Sequence, residues 1–248
     1  MTPHPRVDDP GKPPLRIGVS AMIPEVPPVL TKLLEQPPQP QRSFAWEPAG
    51  WHHQMHDLPD VRQMLDALPE RVDRGIVRTV VARELDRQRV LPAFVSAMVW
   101  GYGDKGYGPT RVRRVLTGVK TGARDAPVRD DVAGVLRTAA EVVRREGPVE
   151  GFRYMNNAGR IKHLAASFFT KWLYFASALS DPDDVGAAPI LDMRVRNWLQ
   201  DHTGVDLDLR QTRDYETYLM ILNGWGALYG RTSVQVEQAI FSCSTRNA

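Results

Sequence analysis

An all-α protein is predicted by three features of this sequence. Apolar residues recur three and four positions apart through most of the chain, the alternation that a half-buried strand needs is absent, and prolines and glycines mark several of the resulting boundaries. Residues 1 to about 45 stand apart: PHP, GKPPL, PEVPP and QPPQPQ surround one short apolar piece, Leu30 to Leu34, so an extended or partly disordered arm is expected. Helical spacing follows over Val61 to Leu68, Val72 to Gln88, Leu91 to Trp100, Pro109 to Val119 and Asp131 to Arg145. It continues over Val149 to Met155, Phe168 to Leu179, Met193 to Gln200, Arg213 to Tyr229 and Ser233 to Phe241. Pro109, Pro127 and Pro148 lie near starts, and Gly147, Gly204 and Gly230 near ends. No internal repeat is visible, so residues 46–248 read as one helical domain of one or two subdomains with short connections.

Composition narrows the function classes. With 248 residues, 42% hydrophobic and 25% charged, the chain can bury a sizeable core. No apolar run approaches a membrane span, and the first residues, MTPHPRVDDPGKPP, lack the apolar centre of a signal peptide, so a cytoplasmic protein without membrane partners is expected. One cysteine, Cys243, permits neither an internal disulfide framework nor a thiolate cluster, and no cofactor or metal is expected. The net charge of +3 is unevenly spread: Lys105 to Lys171 holds fourteen Lys and Arg against six Asp and Glu, which gives +8 there and −5 elsewhere. Such a window suits either a polyanion-facing surface or ordinary solvated helix faces.

Lys171 is the odd residue. In LAASFFTKWLYFASALS, Leu164 to Ser180, it is the only charged side chain. Ser167 reads as the N-cap, which puts Lys171 near the fourth helical position, with Phe168, Trp172, Phe175 and Leu179 on one stripe and Phe169, Leu173 and Ala176 on the next. Desolvation and the positive end of the helix dipole both favour the uncharged amine there, and an uncharged amine is a nucleophile. The alternative is a lysine that snorkels outward or pairs with a buried carboxylate. Twenty-one residues on, Asp192 in PILDMRVRNWL reads as a helix N-cap that can also present its carboxylate to a cleft.

Taken together, GRIKHL (Gly159 to Leu164) as a short helix, a tight Ala165-Ala166-Ser167 turn, a helix opening with Thr170-Lys171, and Asp192 resemble the signature of helix-hairpin-helix DNA glycosylases. The nearest resemblance is to the 8-oxoguanine DNA glycosylase group in bacteria, supported by MVWGYGDKGYGPTRVRRVL (Met98 to Leu116) and YETYLMILNGWGALYGRTSVQVEQAIF (Tyr215 to Phe241). The resemblance implies two helical subdomains flanking a cleft, a hairpin at 159–180, and excision of a flipped damaged base by Lys171 as nucleophile with Asp192 as its carboxylate partner. It also implies β-lyase activity through a lysine Schiff base, and stacking of the base by residues near Phe175 and Trp225. The usual Leu-Pro-Gly-Val-Gly hairpin is here Leu164-Ala165-Ala166-Ser167-Phe168-Phe169, so a hairpin cation does not follow; and Arg194, two residues past the aspartate, is suited to phosphate.

Extruding a nucleotide costs a few kcal/mol of unstacking. WGYGDKGYG offers Trp100, Tyr102 and Tyr107 among four glycines, with Arg111, Arg113 and Arg114 opening a basic helix behind them; it reads as a DNA-contacting loop, or else as a helix connector. Trp100 is assigned with Phe175 and Trp225 to the base, and Tyr102, Tyr107, Arg111, Ser167, Thr170 and Arg194 to double-stranded DNA, with a monomer as the default. His52, His53 and His56 with Asp60 read as solvated or stacking side chains near Trp46 and Trp51, as part of the base pocket, or as metal ligands. Competing functions are a glycosylase for hypermodified bases of phage DNA, acting in defence, a non-catalytic DNA-binding module, and a helical interaction protein without nucleic acid.

Overall fold

The computed structural model describes residues 23–246. Twelve helices and one two-stranded ribbon make up these residues. They run α1 (Pro28–Leu34), β1 (Phe44–Ala45), α2 (Pro48–Gln54), α3 (Pro59–Asp66), β2 (Arg71–Val72), α4 (Arg74–Asp86), α5 (Val90–Tyr102), α6 (Gly108–Thr117), α7 (Asp130–Glu146), α8 (Pro148–Asn156), α9 (Ala166–Ser177), α10 (Met193–Thr203), α11 (Thr212–Tyr229) and α12 (Ser233–Arg246). The all-α class and all ten predicted helices are present, with ends that shift by a few residues. None of the described helices is long and apolar enough to cross a membrane.

α9 is the pivot of the fold. It packs against α4, α5, α7 and α8, and every side chain from Phe169 to Ala176 is buried, as its all-round apolar sequence requires. Aromatic rings fix its orientation: Phe94 of α5 meets Trp172 edge-on at 5.8 Å, and Phe152 of α8 meets Phe169 at 4.9 Å. Its C-terminal end is closed by two arginines from neighbouring helices. Arg144 of α7 donates to the Ala176 carbonyl at 2.7 Å, supplying a partner that the last turn cannot find within the helix, and Arg78 of α4 donates to the carbonyl of Leu179 just beyond the C-cap.

Three expectations change. The arm is not extended or disordered over residues 28–34, because α1 inserts Leu30 and Leu34 against α12; seven residues opened by proline are too few for a helical period to show. Residues 1–22 lie outside the described residues. A short ribbon, with Phe44 opposite Val72 and Ala45 opposite Arg71, ties the end of the arm to the start of α4. Finally, GRIKHL is not a helix. The first helix of the hairpin is α8, and residues 157–165 form the connection through successive turns. Two features break helical continuity there: His163 has the left-handed φ of 69°, and Gly159 lies so close to Tyr154 that an added Cβ would sit 2.3 Å from its ring.

Candidate active site

The backbone before Asp192 and the N-terminal half of α9 bring the two sequence-predicted catalytic residues together. Lys171 Nζ lies 3.1 Å from Asp192 Oδ2 and donates to the Ser167 carbonyl at 2.8 Å. The lysine is 6% exposed, so the pair lies at the edge of the core and not in open solvent. Asp192 divides its work between two oxygens: Oδ1 accepts from the amides of Arg194 and Val195 at 3.0 and 3.1 Å, and Oδ2 faces the amine. The N-cap and the amine partner are one residue. Burial pushes the Asp192 carboxyl up, but the Lys171 ammonium and the Val195 and Arg194 amides outweigh it and hold the group below its ordinary value of 3.8.

The helix begins two residues earlier than the sequence suggested. Ala165 is the N-cap and makes no side-chain bond, so Ser167 lies in the first turn and Lys171 in the second. The dipole acts mainly within the first turn. Burial, the carboxylate and the Ser167 carbonyl therefore set the lysine's surroundings more than the helix end does. Phe168 lies under the amine, with Nζ 5.2 Å from its ring centre, and is itself stacked on Tyr102 at 4.2 Å.

Trp100 and Phe175 lie beside one another at 5.2 Å, edge to face, and the Trp100 indole donates to Gln41 Oε1 at 2.8 Å. Trp225 does not join them. On α11 it continues the stripe of Tyr215, Tyr218 and Leu222 into the core, and its indole donates to the Pro24 carbonyl at 2.7 Å, covered by the residues that precede α1. The aromatic on the Asp192 side is instead Phe241 of α12, over which the exposed Arg194 guanidinium lies at 5.6 Å.

Residues 37–241 match the model of a family described as "Putative 8-oxoguanine DNA glycosylase OGG-like protein". The chain belongs to this family. Neither a curated protein nor a solved structure matches it. At the family level this OGG-like chain is a DNA glycosylase, with DNA as its partner, and the paired Lys171 and Asp192 fall inside the matched region.

Among the DNA contacts expected of this OGG-like glycosylase, Tyr107 and Arg111 lie together on the surface, the guanidinium 4.7 Å above the ring, with Tyr107 53% exposed. Tyr102 is buried between Phe168 and Tyr107, and Ser167 is half-buried. Thr170 is withdrawn: it is fully buried, and its hydroxyl donates to the Ala166 carbonyl while accepting from the Leu191 amide. Arg113 is also withdrawn from the basic face, since it grips Asp57 through two bonds at 2.6 and 2.8 Å and two backbone carbonyls besides. His52 faces Asp66 at 3.4 Å and His56 faces Asp57 at 4.0 Å, and no metal-capable cluster of three exists among the described residues.

Sequence reasoning missed a second buried ion pair. Arg74 of α4 binds Glu237 of α12 through bonds of 2.9 and 3.2 Å, and the guanidinium is sandwiched between Trp100 and Tyr174 at 5.1 and 4.6 Å. The signal was available in Glu237, a carboxylate between Val234 and Ile240 on an apolar helical face, just as Lys171 stands alone in its own run. Arg74 and Gln41 together line a cavity of about 270 Å³, completed by Gln39, Asp73, Asp183 and Gln238 and by proline rings. Gln41 carried no such signal, because its partner, Trp100, is 59 residues away.

Proposed function

We propose that this chain excises a modified base from duplex DNA and then cleaves the strand, with Lys171 as nucleophile. The supporting observation is the buried contact of 3.1 Å between Lys171 Nζ and Asp192 Oδ2. In the resting protein the two form an ion pair, so the amine must first lose a proton, for which Asp192 is the adjacent acceptor. The free amine attacks C1′ of the extruded nucleotide, the glycosidic bond breaks, and the base leaves with the bonding electrons. The Asp192 carboxylate, once its proton has passed on to the departing base or to water, stabilises the positive charge that develops at the sugar. Opening of the sugar gives a Schiff base, and loss of a 2′ proton expels the 3′ phosphate. Tyr107, Arg111 and Arg194 serve the DNA backbone, and Trp100 and Phe175 flank the base once they part.

A second reading keeps this mechanism and changes the substrate to a hypermodified base of phage DNA. The cavity of about 270 Å³ lined by Gln39, Gln41 and Gln238 favours it, because its Arg74 and Gln41 also touch Trp100, next to the place proposed for the base, and its amides could bind polar substituents. Borohydride trapping against duplexes carrying 8-oxoguanine, uracil, alkylated bases or glucosylated cytosine tests both. A covalent band on one duplex, lost in Lys171→Gln with DNA binding retained, supports the mechanism and names the base. Base release by Lys171→Gln at the wild-type rate would refute it.

A further inference from the structure

Residues 187–191, just ahead of Asp192, run as buried irregular backbone. Buried backbone without helical or ladder bonds needs other partners, and here three consecutive residues find them in side-chain hydroxyls. Tyr215 donates to the Pro189 carbonyl at 2.9 Å, Tyr218 donates to the Ile190 carbonyl at 2.8 Å, and the Leu191 amide donates to Thr170 Oγ1 at 3.3 Å. The next residue is Asp192, held by Lys171. Thr170 and Lys171, neighbours on α9, thus engage Leu191 and Asp192, neighbours on the irregular segment. Tyr215 and Tyr218 are three apart on α11 and share one face, which aims them at successive carbonyls.

From this ladder we infer that Tyr218 and Tyr215 are positioning residues, whose hydroxyls fix the backbone ahead of Asp192 and so set the distance of its carboxylate from the Lys171 amine. Both side chains are fully buried and cannot touch DNA in this arrangement. Burial pushes both phenols far up, so they remain protonated donors at any ordinary pH. Tyr215 is braced in turn by Phe152 of α8, stacked at 4.4 Å, which links the ladder to the hairpin. The inference rests on the glycosylase reading for its catalytic consequence, but the positioning itself is independent of any substrate.

Tyr218→Phe removes one oxygen and little else. The carboxyl titration of Asp192, followed by carbon NMR and assigned with Asp192→Asn, reports its distance from Lys171 without DNA. The other titratable groups coupled to it are Glu237 of α12, itself paired with Arg74 of α4, and Tyr218; the Glu237–Arg74 pair is not altered. Tyr218→Phe is expected to move the Asp192 midpoint upward, toward the ordinary carboxyl value, as the ammonium recedes. On the duplex that traps wild type, its single-turnover excision rate should fall by about tenfold or more with KM unchanged. Tyr215→Phe, one carbonyl further away, should give the same changes at smaller size. Titration of Asp192 at the wild-type midpoint in both variants overturns the inference. So does loss of the fold in both, since the hydroxyls would then be serving stability alone. If wild type acts on no duplex, the glycosylase reading falls, while the NMR titration still decides the positioning.

Discussion

Gly101 and Lys171 are so close that a methyl group on the glycine would lie 2.8 Å from Cδ of the lysine. A glycine-rich stretch that suggested close approach to DNA thus contains one glycine whose missing side chain makes room for the nucleophile's stem. Gly101→Ala, in the last turn of α5, favours the helix but must displace Lys171. Excision is expected to fall by about 10- to 100-fold, with helical circular dichroism unchanged. Wild-type kinetics in this variant would mean that the lysine stem has freedom that its burial denies.

Asp192 serves as cap and as amine partner through different oxygens, and substitutions separate the two. Asparagine retains a capping oxygen and loses the charge, so Asp192→Asn should fold and lose most turnover; Asp192→Ala also loses the cap, at a cost of about 1 kcal/mol in urea unfolding. The pH dependence has a definite sign. Because the folded carboxyl titrates below its ordinary 3.8, its contribution to stability is present above that pH and disappears as the pH falls through the folded value. Melting temperature in Asp192→Asn should therefore fall less on acidification from about pH 5 to about pH 2 than in wild type.

Arg74 and Glu237 neutralise each other where neither reaches bulk water, being 6% and 1% exposed. Arg74→Met strands the carboxylate and is expected to destabilise the protein by about 3 kcal/mol in chemical denaturation. Adding Glu237→Met should recover much of that loss, since the stranded charge disappears. Equal and additive losses would show that the two residues do not act as a pair.

Arg111 stands over exposed Tyr107, outside the core. If it meets a phosphate, Arg111→Ala weakens binding to any duplex sequence and lowers the slope of log affinity against log salt by about one. Fluorescence anisotropy at several salt concentrations measures both. An unchanged slope would move the DNA contact elsewhere on the basic face, to Arg160, Lys162 or His163 of the hairpin connection, all exposed.

The helices were legible wherever eight or more residues gave the apolar period time to repeat, and α9 was legible even in its burial. Lys171 drew notice as a lone charge in an apolar run, whereas Asp192 at the head of a helix reads locally as an ordinary cap, and the resemblance to helix-hairpin-helix glycosylases is what paired the two. Trp225 and Thr170, offered by the sequence to base and DNA, are buried in this structure. An aromatic or a threonine at helical spacing has the same local pattern whether it faces a ligand or the core, and only the covering residues around Pro24 and Leu191 tell these apart.

By itself, the sequence determined the helical class and the order of the main helices, since both depend on periodicity, and it offered Lys171 and Asp192 as candidates through one charge against apolar neighbours and a family resemblance. Tertiary structure decided the separation of amine and carboxylate, the hydroxyls that hold the segment before Asp192, the second buried pair and the cavity beside Trp100. Those depend on contacts between residues tens to hundreds of positions apart, and a distance in space has no signature in local spacing.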